Sequence, residues 1–129
     1  MSKIDLEATY RDYIACLNKQ DWPNLGRFVH GDVRHNGRPL GIGGYRAMLE
    51  ADYEQIPDLR FEIQILIADP QHVACRLRFD VTPHGDFLGL SVNGQRVTFC
   101  ENVIYAFRDG KIQEVWSVID KAAIEAQLR

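Results

Sequence analysis

The chain has 129 residues, 46% of them hydrophobic, and a net charge of −3 with both signs interspersed. That length suits a single domain, 1–129, whose core needs no disulfide. No basic stripe points to nucleic acid, no apolar stretch is long enough for a membrane span, and charges interrupt the start MSKIDLEATY as they would not in a signal peptide. Cys16, Cys75 and Cys100 lie far apart in apolar patterns and read as reduced core thiols of a cytoplasmic protein.

The first half reads helical. Ser2 or Asp5 can cap a helix that carries Leu6, Tyr10, Tyr13, Ile14 and Leu17 on one face. Pro23 suits the first turn of a second helix with the stripe Trp22, Leu25, Phe28 and Val29. His30-Gly31-Asp32 reads as a turn, residues 33–36 as a short strand and residues 38–44 as a loop. A third helix carries Tyr45, Met48, Leu49, Tyr53 and Ile56 and ends at Pro57.

The second half reads as strands. Phe61, Ile63, Ile65 and Ile67 alternate with Glu62, Gln64, Leu66 and Ala68. After Asp69-Pro70, residues Val73, Cys75, Leu77, Phe79 and Val81 alternate with polar neighbours. A glycine-rich loop containing His84 leads to a long strand over 95–108. Asp109-Gly110 is a strong two-residue hairpin signal, residues 111–119 return, and residues 121–128 read as a terminal helix. Helices followed by antiparallel strands predict an α+β fold: a strongly curved antiparallel sheet whose concave face the N-terminal helices close around an apolar pocket.

A regular hairpin pairs Arg108 with Lys111, and counting back places Glu101 opposite Val118 and Phe99 opposite Asp120. One face then carries Phe99, Glu101, Val103 and Tyr105 together with Trp116, Val118 and Asp120. Glu101 and Asp120 become diagonal neighbours, about 7–8 Å apart. Carboxylates on an apolar face have raised pKa values, which is what a general acid or base near neutral pH requires. Two simpler roles stand beside this one: Asp120 as the cap of the last helix, and Glu101 as the partner of an arginine such as Arg96. The opposite face, with Cys100, Ile104, Val115 and Ile119, is too apolar to be left in water and predicts a homodimer.

The histidines His30, His35, His72 and His84 have no metal-ligand spacing, and neither a metal nor a cofactor is expected. The glycines at 41–44 make a weak phosphate loop at best.

Several pieces, in order, resemble the SnoaL-like polyketide cyclases of the nuclear transport factor 2-like superfamily. They are Asp21-Trp22, His35-Asn36, the glycine-rich entry to the third helix, Ile56-Pro57-Asp58-Leu59-Arg60-Phe61 and Gly85-Asp86-Phe87-Leu88-Gly89. Residues 94–99, Arg108-Asp109-Gly110-Lys111-Ile112 and residues 114–120 complete them. Two stretches depart from the pattern: Thr82-Pro83-His84-Gly85 stands where threonine is usually followed directly by histidine, and Ser91-Val92-Asn93 replaces a proline-rich turn. The resemblance implies a cone-shaped fold, often dimeric, and cofactor-free ring closure by intramolecular aldol condensation, with the acid/base aspartate at Asp120. Asp120, Glu101 and His35 are therefore the candidate catalytic residues. Asn36, Phe99, Val103, Tyr105, Trp116, Tyr53 and Trp22 are the candidate contacts to a small apolar or polyketide-like substrate. The alternatives are a ligand-binding or assembly domain without turnover, and an isomerase or epoxide hydrolase using the same pocket.

Overall fold

The computed structural model describes residues 5–128. Helix α1 (Leu6–Asn18) begins at Asp5, whose side chain accepts a hydrogen bond from the Ala8 amide, and it buries the predicted stripe. Ser2 lies outside the described residues. The second predicted helix is a single 3-10 segment, Trp22–Arg27, with Pro23 in its first turn. Val29 is not part of it but opens strand β1 (Val29–His35), so His30-Gly31-Asp32 is strand rather than turn. Helix α2 (Gly41–Gln55) starts inside the predicted loop. Strands β2 (Glu62–Ala68) and β3 (His72–Val81) follow, then a small hairpin, β4 (Asp86–Phe87) and β5 (Leu90–Ser91). Strands β6 (Val97–Arg108) and β7 (Lys111–Ile119) and helix α3 (Lys121–Gln127) complete the chain.

The large sheet has the order β1-β7-β6-β3-β2. It is curved and open rather than closed into a barrel, and it is mixed rather than wholly antiparallel, because β1 runs parallel to β7. The α+β cone stands. Its concave face carries Val73, Cys75, Leu77, Phe79 and Val81 of β3 beside Val97, Phe99, Glu101, Val103 and Tyr105 of β6. Helices α1 and α2 close that face. The Tyr10 hydroxyl ties α1 to the sheet by donating to Tyr105 at 3.0 Å, and the hydroxyls of Tyr13 and Tyr45, 2.7 Å apart, tie α1 to α2.

Two bulges decide which side chains join the core. The β6–β7 hairpin turns at Asp109-Gly110 with φ of 52° and 75°, as the left-handed two-residue turn requires. Arg108 pairs with Lys111 and Phe107 with Ile112, but Ala106 then pairs with Glu114. Gln113 is the extra residue. Beyond it every side chain of β7 changes sides, because strand alternation has a period of two. The predicted register is corrected by one residue: Glu101 pairs with Ile119 and Val103 with Ser117. Val115, Ser117 and Ile119 face inward. Trp116 and Val118 face outward, 44% and 70% exposed. A second shift, between Ile63 and Ile65, leaves Gln64 unpaired in β2 and turns Ile65 and Ile67 outward as well.

Helix α3 is held at both ends. The Asp120 side chain accepts from the Ala123 amide at 3.1 Å, and Gln127 exchanges hydrogen bonds with the Thr98 backbone. Asp120→Asn should leave stability near wild type, whereas Asp120→Ala should cost about 0.5–2 kcal/mol, read from urea denaturation midpoints. Equal losses in both variants would show that the cap does not account for the stability at this position.

Candidate functional site

A cavity of about 590 Å³ opens between the concave sheet face and α2. That is within the roughly 300–1,000 Å³ of ligand pockets. Its wall is mostly apolar and aromatic, with Tyr13, Leu49, Phe61, Leu77, Val103 and Tyr105 among the lining residues. Two carboxylates interrupt it. Glu101 comes from the middle of β6 and Asp52 from the last turn of α2. Both also line a smaller annex of about 70 Å³ walled by Phe61, Phe79, Phe87 and Phe99.

Asp52 was not among the residues singled out from the sequence, although the signal was present. Tyr45, Met48, Leu49 and Asp52 fall at the spacing of one helical face, and all four line the cavity. Burial pushes the Asp52 carboxyl up to about 6. Glu101 is enclosed by protein on nearly every side, yet its carboxylate opens into the cavity. Burial raises its pKa, the hydrogen bond from Ser117 Oγ opposes the rise, and the charge of Asp52 adds to it. Arg96 does not neutralise Glu101. It grips Asp80 with two hydrogen bonds of 2.7 Å.

The other predicted site residues separate into two groups. His35, Asn36, Val103 and Tyr105 line the main cavity and Phe99 the annex. The His35 pKa is lowered, first by burial and then by the charge of Arg38, so the ring is neutral at physiological pH. Its Nδ1 is buried without a hydrogen-bond partner among the described residues. The Asn36 side-chain amide accepts from the Ser117 amide at 2.8 Å and donates to its carbonyl at 3.2 Å, which ties the end of β1 to β7.

Asp120, Trp116, Trp22 and Tyr53 are not brought to this cavity. Asp120 is exposed at the head of α3 and is not part of the wall. The Gln113 bulge that puts Ile119 inside ends the strand with Asp120 on the other side. Trp116 lies on the convex face for the same reason. Trp22 and Tyr53 meet edge to face at 5.9 Å beside a separate surface groove, and the Tyr53 hydroxyl is spent on the Leu17 carbonyl at 2.6 Å. His84 is exposed, and its backbone is tied to Gln55. Among the described residues no group of three or more His, Cys, Asp or Glu could hold a metal ion, and no helix is long and apolar enough to cross a membrane.

The family model for SnoaL-like polyketide cyclase matches residues 7–128. The chain belongs to that family. A SnoaL-like polyketide cyclase from Agrobacterium tumefaciens shares 52% identity over all of both chains, with a TM-score of 0.96. AclR from Streptomyces galilaeus, described as a hydroxylase by proposal, is 25% identical over 98% of this chain and 97% of its own, with a TM-score of 0.77. IdmH from Streptomyces antibioticus, described as a polyketide cyclase by proposal, is 20% identical over 96% and 98%, with a TM-score of 0.82, and shares the fold. No curated protein gives a significant match.

A carboxyl whose pKa is higher in the fold than in the unfolded chain binds its proton more tightly when folded. Its favourable contribution is complete below the unfolded value near 4 and fades as pH rises through the folded value. For Asp52 that window runs from the ordinary carboxylate range to about 6. Asp52→Asn should therefore raise the melting temperature at pH 7.5, by a free energy of roughly 2 kcal/mol, and flatten the decline in stability across that window. Thermal melts across this pH range check both effects.

Proposed function

We propose that the protein is a cofactor-free cyclase in which Asp52 and Glu101 move the protons. The observation that carries this reading is the pair of raised-pKa carboxylates facing one apolar cavity with no ion-pair partner among the described residues. Burying charge near charge is costly, and a fold that needed only a core would place apolar side chains there. Asp52, ionised above pH 6, takes a proton from the carbon next to a carbonyl. The resulting enolate attacks a second carbonyl of the same molecule, and the carbon–carbon bond closes a ring. Glu101, in its protonated form, which burial favours, donates its proton to the alkoxide that forms. The proton held by Asp52 then returns to Glu101 through solvent, and the pair is restored.

The hydroxyls of Tyr13 and Tyr45, 2.7 Å apart on the cavity wall, offer a donor to the enolate oxygen, and the unpaired Nδ1 of neutral His35 offers another polar contact. The aromatic wall and the phenylalanine annex suit a polyketide-like, at least partly aromatic, substrate. The family membership supports the reaction class.

The test needs no knowledge of the natural substrate. Hydrogen–deuterium exchange at the activated carbon of an aromatic β-keto ester, followed by proton NMR in D₂O, reports the first step. Wild type should accelerate exchange, and Asp52→Asn should lower the rate by about 10²–10⁴-fold. Asp120→Asn should leave it near wild type. Full exchange activity in the Asp52→Asn protein would reject this assignment.

We further infer that a second copy of the chain covers the convex face. Ile65, Ile67, Ile104, Trp116 and Val118 form an apolar patch there around a groove of about 440 Å³. Arg76, held by Gln64 and Asn102, and the Arg78–Glu62 ion pair share that face. An apolar centre with both charge signs nearby is self-complementary under a two-fold axis. Light scattering at micromolar concentration should give twice the chain mass, and Trp116→Arg should give the monomer mass. A monomeric wild type would refute the assembly.

A further inference from the structure

The mouth of the cavity has the opposite charge to its interior. Arg38 follows the Asn36-Gly37 turn that ends β1, and Lys121 opens α3 directly after β7. Because β1 and β7 are parallel, both strands leave the sheet at the same end. Both cations line the cavity there. Lys121 Nζ reaches across the entrance to the β4–β5 turn, 4.0 Å from where a side chain at Gly89 would begin. Leu88, the other residue of that turn, lines the cavity beside it.

Neither cation has a side-chain partner among the described residues. Most other arginines do: Arg11, Arg34, Arg46, Arg78 and Arg96 each face a carboxylate, and Arg76 binds Gln64 and Asn102. The charge of Arg38 reaches into the cavity, where it helps hold His35 neutral.

We propose that Arg38 and Lys121 form an anion clamp, and that the substrate carries a carboxylate at the end that remains at the mouth. This rests on the reading of Asp52 and Glu101 as the acid/base pair and adds the direction in which the molecule enters. An ionised group is repelled from the deep end by those carboxylates and drawn to the entrance by the two cations. The neutral, enolisable part therefore leads. Guanidinium and carboxylate match as a planar, two-point pair, and a mobile ammonium completes the contact. A phosphate is less well served. At the head of α3 the Ala123 amide is already taken by the Asp120 carboxylate, whose own charge would oppose a phosphate there.

The probes are 2-naphthoate and 2-naphthamide, which share shape and differ in charge, titrated calorimetrically at pH 7.5 in low salt. Wild type should prefer the acid by about tenfold, and the preference should shrink as salt is added. In the double variant Arg38→Gln, Lys121→Gln the acid-to-amide ratio should fall to about one; the ratio is the readout, and a melting curve confirms the fold. Equal affinities in wild type, or a preference that survives the double substitution, would overturn the clamp. Equal affinities with Asp52-dependent proton exchange intact would overturn the clamp alone. If neither probe binds and exchange is absent, the clamp and the catalytic reading fall together.

Discussion

Two unpaired glutamines, Gln64 in β2 and Gln113 in β7, set the sidedness on which the rest of the structure depends. Each inserts one residue against its partner strand and reverses the alternation beyond it. On β7 the reversal brings Val115, Ser117 and Ile119 to the concave face, and with Ser117 comes the hydroxyl that holds Glu101. The same reversal sends Trp116 and Val118 outward. On β2 it sends Ile65 and Ile67 outward too. One geometric device, used twice, thus builds the polar floor of the cavity and the apolar convex face together.

Burial disfavours the charged form of both carboxyls on the cavity floor. Glu101 and Asp52 lose hydration on folding and repel each other when both are ionised. The surroundings offset only part of this. Ser117 supplies a hydrogen bond, and no cation pairs with either carboxylate among the described residues. On the convex face the same residue types follow the opposite rule. Asp80 and Arg96 form a close two-point pair in water, which lowers the aspartate pKa and raises that of the arginine. Around this floor, the Tyr10–Tyr105 hydroxyl pair ties α1 to the sheet and the Tyr13–Tyr45 pair ties α1 to α2.

Much of the fold is legible in the sequence because its signals are local. The stripe of α1, the alternation of β3 and the Asp109-Gly110 turn each depend on residues a few positions apart, and each is found where predicted. Glu101 on the concave face is legible for the same reason, since β6 itself has no bulge. The bulges are not legible. Glutamine at a bulge has no distinctive preference, and one extra residue is enough to misplace Trp116, Val118 and Asp120. The parallel pairing of β1 with β7 joins segments about eighty positions apart and leaves no local trace. Asp52 was hidden by the pattern that reveals it: a search for apolar residues at helical spacing passes over the one polar member of the stripe.

Asp52 and Asp120 show why sequence pattern and chemistry part company. Both sit beside hydrophobic positions, and on spacing alone the aspartate that closes β7 has the stronger claim to a pocket. Environment separates them. Asp120 spends its side chain on the Ala123 amide at a solvated helix start. Asp52 lies in the last turn of α2, where the backbone amides are already satisfied within the helix. No free helix amide is there to bind its carboxylate, and the side chain is turned toward an apolar cavity. Asp52, turned away from water with no cation paired to it among the described residues, has its pKa raised by burial, and that difference in solvation, rather than position in a motif, makes it the candidate acid/base.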